Sequence, residues 1–447
     1  MIRFVGTTLL VLFAVVGMAG AATAKDLPRK PVLGAAIGPV PKEVRAAQKV
    51  PAGQGVLVTS VVPGLSAEGA GIKAGDIFLM MDGKPTAEPA AVVAAVRAHQ
   101  AGDTITLEYL RGSTRTLAKI TLKGLPYETS NDYDVSYEAV DAGDSTRRVI
   151  ITRPRDGKRH PAVLLIGGIG CYSIDAWSNP KDSYLQILSS LTRRGFVTMR
   201  VEKSGMGDST GAPCAQVDMQ TEVAGYVAGL KMLKAKPYVD ANRAFIIGHS
   251  IGGVVGPAAA AKEPVRGILA METTGLTWFE YELINTRRQL KLANGNGATI
   301  DAQLRAKEWC MHKLLVERTP RAKILGEQPT CAEYMQYPAS DAYMQQIAAQ
   351  NASAVWSGLK GVDVAIIYGA SDFVTGAEES KAIVDTVNAA RAGAATYVEI
   401  PDMDHYLTQV PSQAASFQRM HETGLENTVF HPKLNQIIGD WLEEKAG

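Results

Sequence analysis

The chain has 447 residues, 46% of them hydrophobic, and a formal net charge of +1. That length supplies two or three domains and a large core. The near-neutral balance, with no long charge run, excludes the basic footprint of a nucleic-acid binder and gives no attraction to anionic membranes.

The first segment, "MIRFVGTTLLVLFAVVGMAGAATAKDLP", carries one early positive charge at Arg3 and an apolar core over 9–16. Ala22-Thr23-Ala24 has the small-x-small form of a cleavage site, so residues 1–24 read as a signal peptide cut before Lys25. A retained anchor is the alternative, but the apolar core falls short of the ~20 residues a membrane span needs. No later segment is apolar enough to cross a bilayer, so no stable span is expected after cleavage. Export places the chain in the periplasm or outside the cell, where disulfides form. Cys171, Cys214, Cys310 and Cys331 contain no CxxC pair, which argues against a metal site and leaves two disulfides or buried thiols.

Residues 31 to about 124 alternate apolar and polar positions in short runs, with glycine turns between them and a helix predicted over 90–99. The stretch "SAEGAGIKAGDIFLMMDGKP" resembles a PDZ domain of the kind found in secreted bacterial proteins. There a short helix leads to Gly71-Ile72, Gly75-Asp76 opens a strand, and Asp82-Gly83 makes a hairpin turn. The resemblance implies binding of a peptide or protein C-terminus, added as a strand to a sheet edge. The carboxylate-holding loop would be Gly34, Ala35, Ala36 and Ile37, although it lacks the usual glycine-rich form with two bulky residues. The alternative is a packing module that positions the second domain.

Beyond a linker, strands are predicted at 148–152, 162–166, 197–201, 244–248, 267–271, 364–368 and 396–400. Helices are predicted at 184–194, 219–234, 252–261, 378–390 and 434–444. Alternating strands and helices predict a mostly parallel sheet covered on both faces. From about 272 to 361 the alternation stops and helical stretches such as "DAQLRAKEWCMHKLLVERT" take over. A structureless loop of that length is improbable in a compact domain, so a helical lid is expected.

"FIIGHSIGGVVG" holds a G-x-S-x-G motif after a strand and before a small-residue helix. That context fits a nucleophile elbow at Ser250. A serine hydroxyl needs a base, and of seven histidines His405 follows the last strand pattern, with His421 and His431 as fallbacks. Asp372 follows the preceding strand and would orient His405, with Asp402 and Asp404 as rivals. The order Ser250, Asp372, His405 resembles the α/β-hydrolase family, and secreted bacterial carboxylesterases within it, from about residue 127 to the C-terminus. The fold class implied is an α/β-hydrolase sheet domain with an inserted helical lid, preceded by a small PDZ-like β+α domain.

The resemblance implies an oxyanion hole using the amide of Ile251 and a second amide after "AVLLIGGIGCYS", from Gly168, Ile169 or Gly170. Asp208, in "VEKSGMGDSTG", reads as structural. In the lid, Trp278, Phe279 and Tyr281 would line an acyl or aromatic pocket. Glu280, Arg287 and Arg288 would hold polar substrate groups, unless all six serve ordinary helix packing. Cys171 and Cys214 both fall in loops at the catalytic edge, and Cys310 and Cys331 both fall in the lid, so the pairings Cys171–Cys214 and Cys310–Cys331 are expected. The activity implied is hydrolysis of a small-molecule ester with no cofactor and no metal. Alternatives are a peptidase on the same three residues, or a PDZ-centred scaffold with an idle hydrolase domain.

Overall fold

The structure is a computed structural model that describes residues 27–447. The expected signal segment, 1–24, lies outside the described residues. In the N-terminal unit, strands β1 (Ala35–Pro39), β2 (Val56–Val61), β3 (Ile77–Met81), β4 (Thr104–Arg111) and β5 (Thr114–Thr121) pair in sequence order, all antiparallel. In β4, Ile105, Leu107 and Tyr109 turn inward while Thr104 and Thr106 face solvent. That is the period of two a half-buried strand requires. Helix α1 (Pro89–Arg97) closes this core with Val92 and Val96. It ends two residues before the predicted 99, and it starts on a proline, whose fixed φ suits a first helical position.

The second sheet has eight strands: β6 (Asp134–Asp141), β7 (Thr146–Arg153), β8 (His160–Ile166), β9 (Val197–Val201), β10 (Val239–His249), β11 (Gly267–Met271), β12 (Asp363–Gly369) and β13 (Ala395–Ile400). Their spatial order is β13-β12-β11-β10-β8-β9-β7-β6. The β6–β7 and β7–β9 pairs are antiparallel and the rest are parallel. Strand β6 falls in the segment read as a linker. It is an edge strand in which only Ala139 is buried, so its hydrophobic signal is weak.

The central strands are apolar throughout because both faces are covered. Along β8, Ala162, Leu164 and Ile166 enter one core, and Val163 and Leu165 enter the other. The first core takes helices α3 (Met219–Lys234) and α4 (Gly252–Ala260); the second takes α2 (Ser183–Arg193) and α9 (Leu434–Ala446). Burying each such Leu or Ile contributes about 1.5–3 kcal/mol. Asp182 and Asp218 cap α2 and α3 by accepting from the amides of Leu185 and Thr221.

Between β11 and β12 the chain is helical. Helices α5 (Trp278–Leu292) and α6 (Gly297–Met311) lead, and short helices Arg321–Glu327, Cys331–Tyr334, Asp341–Ala348 and Ala352–Gly358 follow. Arg288 of α5 ties this insertion to the loop after β12, donating to the Val374 carbonyl at 2.8 Å and pairing with Glu379. Helices α7 (Ala377–Ala390) and α8 (Gln413–Glu422) complete the architecture.

The N-terminal segment is anchored to the second sheet's loops. Arg29 pairs with Asp175 and Asp208, both at 2.6 Å, and Arg148 joins Asp208 at 3.0 Å. All four side chains are buried, so Asp208 is held by two guanidinium groups and acts as a structural post. Among the described residues, no helix is long and apolar enough to cross a membrane.

Two disulfides are present, Cys171–Cys214 and Cys310–Cys331. The first ties the loop after β8 to the loop after β9. The second joins α6 to the helix Cys331–Tyr334. Their sequence separations of 43 and 21 residues give roughly 3–4 kcal/mol each in the loop-closure model. Alkylating the denatured, unreduced protein should therefore label no cysteine in an intact-mass measurement. Replacing Cys171 and Cys214 by serine should lower the thermal midpoint by several degrees; four labelled thiols, or an unmoved midpoint, would contradict this.

Candidate active site

The turn between β10 and α4 is shaped by backbone contact. A Cβ on Gly252 would sit 2.2 Å from the Ile166 carbonyl oxygen, and one on Gly248 would sit 2.5 Å from the Gly252 carbonyl oxygen. Neither position admits a side chain. Ser250, between them, is held at φ 55°, in the left-handed region that non-glycine residues rarely adopt. Its amide donates to the Met271 carbonyl at 2.9 Å, pinning the turn to β11.

His405 Nε2 lies 3.1 Å from Ser250 Oγ, and His405 Nδ1 lies 2.8 Å from Asp372 Oδ2. The structure thus brings together the three residues expected to do chemistry, each just beyond the C-terminal end of its strand. Asp372 is fully buried and also accepts from the amides of Val374 at 2.6 Å and Thr375 at 3.0 Å. Burial alone would raise its carboxyl. Attraction to His405, with hydrogen bonds from His405, Glu272 and Thr375, outweighs burial and brings it to about 2.

The rival residues have other work. Asp404 accepts from the amides of Tyr406 and Thr408 and from Ser416 Oγ, and pairs with Arg419, so it folds the His405 loop. Asp402 pairs with His431 at 3.0 Å. His421 is exposed and bonds to the Phe417 carbonyl of its own helix, away from Ser250.

Two further residues complete the site. His249 turns away from Ser250 and is buried. Burial, then the neighbouring His405, depresses it to about 3, so it is neutral. Its Nε2–H donates to the His405 carbonyl at 2.7 Å and its Nδ1 accepts from the Tyr184 hydroxyl at 2.6 Å. Tyr184 in turn accepts from the Gly168 amide at 3.0 Å. This chain links the loop after β8 to the backbone of His405. It also corrects one expectation: the Gly168 amide is already engaged. Among the described residues, the amides of Ile169 and Ile251 donate to no protein acceptor. Gly170 sits at φ 117°, a turn position.

Glu272 is the second, and no reading of the sequence singled it out. It follows β11 at φ 48°, is fully buried, and accepts from the Gly369 amide at 2.7 Å through Oε1. Its other oxygen has no donor beside it. Burial first, then the Asp372 charge and a hydrogen-bonding approach to Asp372, push its carboxyl well above the usual range. Two touching carboxyls in a dry site cannot both ionise. Glu272 therefore stays neutral and donates to Asp372. The signal for it was topological: a carboxyl closing the strand between the serine strand and the aspartate strand.

A cavity of about 500 Å³ opens over Ser250, lined by Ile169, Tyr172, Tyr184, Ile251, Val254, Trp278, Tyr281, Tyr406 and Leu407 among others. Trp278 and Tyr281 therefore stand where expected. Phe279 does not: it packs at the core edge, its ring 6.5 Å from that of His312. Arg287 does not either: it is exposed, pairs with Asp301 at 3.1 Å and borders a separate surface hollow, because the α5 turn that carries it faces away from Ser250. Glu280 is exposed and Arg288 is taken by Glu379. In the N-terminal unit, Gly34 makes a left-handed turn at φ 77°, against Leu65. Ala35, Ala36 and Ile37 run along β1, whose outer side carries no strand among the described residues. Among the described residues, no cluster of three His, Cys, Asp or Glu residues could hold a metal ion.

Known proteins resemble this chain in both of its units. A family model described as "Alpha/beta hydrolase family" matches residues 163–416, and a "PDZ domain" model matches residues 31–122. Esterase EstD of Thermotoga maritima is 23% identical over 177 residues, covering 37% of this chain and 42% of that protein. The periplasmic serine endoprotease DegP of Escherichia coli K12 is 38% identical over 81 residues, covering 18% of this chain and 17% of that protein. The chain thus spans less than half the length of either curated relative. The solved structure of Est1E from Butyrivibrio proteoclasticus with ferulic acid has a TM-score of 0.43 at 13% identity, covering 68% of this chain and 96% of that one.

The carboxyl pair makes a pH prediction. A folded pKa raised above the ordinary 4.5 of glutamate means full stability below that value and a loss that grows as pH rises until Glu272 ionises. Glu272→Gln keeps a donor for Asp372 but needs no proton. Its thermal midpoint should fall less between pH 5 and 9 than that of the wild type, with turnover kept. Glu272→Ala, which removes the donor, should cut kcat about tenfold with little change in KM. Identical pH dependence in wild type and Glu272→Gln would contradict a neutral Glu272.

Proposed function

Given that the chain belongs to the alpha/beta hydrolase family, we propose that it is a serine carboxylesterase acting through a covalent acyl-enzyme. The single observation that carries this reading is the continuous chain Ser250 Oγ, His405 Nε2, His405 Nδ1, Asp372 at the floor of an apolar cavity. The likeness to esterase EstD supports it.

Ser250 Oγ attacks the ester carbonyl carbon while His405 Nε2 takes its proton. The buried Asp372 holds Nδ1–H toward itself, fixes the tautomer that accepts at Nε2, and steadies the imidazolium that forms. The carbonyl oxygen becomes an oxyanion held by the amides of Ile251 and Ile169, which have no protein acceptor among the described residues and belong to residues lining the cavity over Ser250. His405 then gives its proton to the leaving alcohol, and the C–O bond breaks. Water enters, loses a proton to His405 and attacks the acyl carbon. The acid leaves as Ser250 regains its proton. Water is the only co-reactant.

Around this core the proposed organisation is a signal peptide at 1–24, a PDZ-like domain at 31–124 and a hydrolase domain at 127–447, with a helical lid at about 272–361. The two disulfides support a periplasmic or secreted site of action, as does the likeness to a protein named as periplasmic. The open edge of β1 supports capture of a peptide or protein C-terminus by strand addition.

Wild-type protein should hydrolyse p-nitrophenyl butanoate and react with a fluorophosphonate probe at Ser250. Ser250→Ala should abolish labelling, and Ser250→Ala and Asp372→Asn should each cut turnover by on the order of 10³–10⁴-fold without unfolding. Labelling that persists on another serine would sink the assignment. Faster cleavage of matched aminoacyl amides than of esters would make the enzyme a peptidase.

A further inference from the structure

A second cavity, of about 520 Å³, lies beside the one over Ser250. The two share Ile169, Trp278 and Tyr281 as a common wall. Each falls within the roughly 300–1,000 Å³ of a single ligand site. Their chemistry differs. The first is walled mainly by aliphatic and aromatic side chains. The second is walled by amides, hydroxyls and aromatic faces carried on α5, α6, α8 and the Cys331–Tyr334 region.

Its polar groups are only partly spent. Gln289 donates to Asn285 at 2.7 Å, which leaves the Gln289 carbonyl oxygen and an Asn285 N–H toward other partners. Glu282 and Lys307 neutralise each other at 2.5 Å, so the wall shows no surplus cation for an anionic ligand. Trp278, at 9% exposure, has an indole N–H with no hydrogen-bond partner, and the Tyr337 hydroxyl lacks one too. Buried donors without partners are costly. Both residues line the chamber, but these two atoms are closed off from its open space, so the groups left for a ligand are the Gln289 and Asn285 amides. Neutral groups with many hydroxyls satisfy such a wall best, with Tyr334 and Phe417 among the aromatic residues that line it.

We infer that this chamber is a sugar-binding subsite: the substrate is an ester joining a compact apolar acyl group, held over Ser250, to a neutral polyhydroxylated alcohol held beyond Trp278. The inference rests on the esterase reading, which it deepens. Leaving-group hydroxyls then supply binding that the acyl cavity cannot, and discrimination between alcohols resides in the insertion between β11 and β12 rather than in the sheet.

Two measurements on the full chain test it separately from the chemistry. The Ser250→Ala protein is titrated with hexyl β-glucoside and with hexanol, followed by tryptophan fluorescence. Saturable glucoside binding is expected, weaker by about tenfold when Gln289→Leu is added, with hexanol unaffected. In the active enzyme, 6-O-butanoyl glucose should exceed ethyl butanoate in kcat/KM by about tenfold or more, and Gln289→Leu should erase that advantage while p-nitrophenyl butanoate turnover holds. Glucoside binding no tighter than hexanol binding, or equal kcat/KM for the two butanoates, overturns the subsite. Glucoside binding that Gln289→Leu weakens, in a protein whose wild type hydrolyses no ester, keeps the subsite and sinks the esterase reading instead.

Discussion

The site depends on the register of four neighbouring parallel strands. Strands β10, β11, β12 and β13 pair so that Ser250, Glu272, Asp372 and His405 all follow their C-terminal ends on one edge of the sheet. A slip of one residue would turn every inward side chain of a strand to the opposite face. The apolar alternation that feeds the two cores therefore also aims the reacting groups. Close backbone contact at Gly248 and Gly252 completes the placement, since only glycine allows β8, β10 and α4 to approach as they do.

On that frame lies a buried polar network larger than three residues. Glu272 faces Asp372 from β11, and His249 holds the His405 backbone from below. Tyr184 joins His249 to the Gly168 amide, so the loop after β8 and the histidine loop are connected through one hydroxyl. Asp404 folds the turn that presents His405. Buried networks of this kind rigidify a site when every member is satisfied. The Cys171–Cys214 bond adds a covalent tie to the same loop.

Much of this was legible in the sequence, and the reasons differ by element. The central strands announced themselves because burial on both faces demands continuous apolar runs. Ser250, Asp372 and His405 could be placed because each follows such a run. The disulfide pairing was readable because loops at one sheet edge are neighbours. Strand β6 was missed because an exposed edge needs little hydrophobicity. The engaged Gly168 amide was hidden because its partner, Tyr184, comes from a helix sixteen residues on. Phe279 and Arg287 were misplaced because a helix turns its residues through about 100° each and sequence spacing alone does not say which face meets the cavity. Glu272 looked like an ordinary strand end; only the neighbour relation of β11 and β12 gives it a carboxyl to face.

The most direct measurement is a crystal structure of the protein after reaction with diethyl p-nitrophenyl phosphate, whose phosphorus mimics the tetrahedral intermediate. The account predicts a bond from phosphorus to Ser250 Oγ, with the phosphoryl oxygen about 2.7–3.1 Å from the amides of Ile169 and Ile251 and His405 still bonded to Asp372. An adduct on another serine, or a phosphoryl oxygen turned away from both amides, would contradict it.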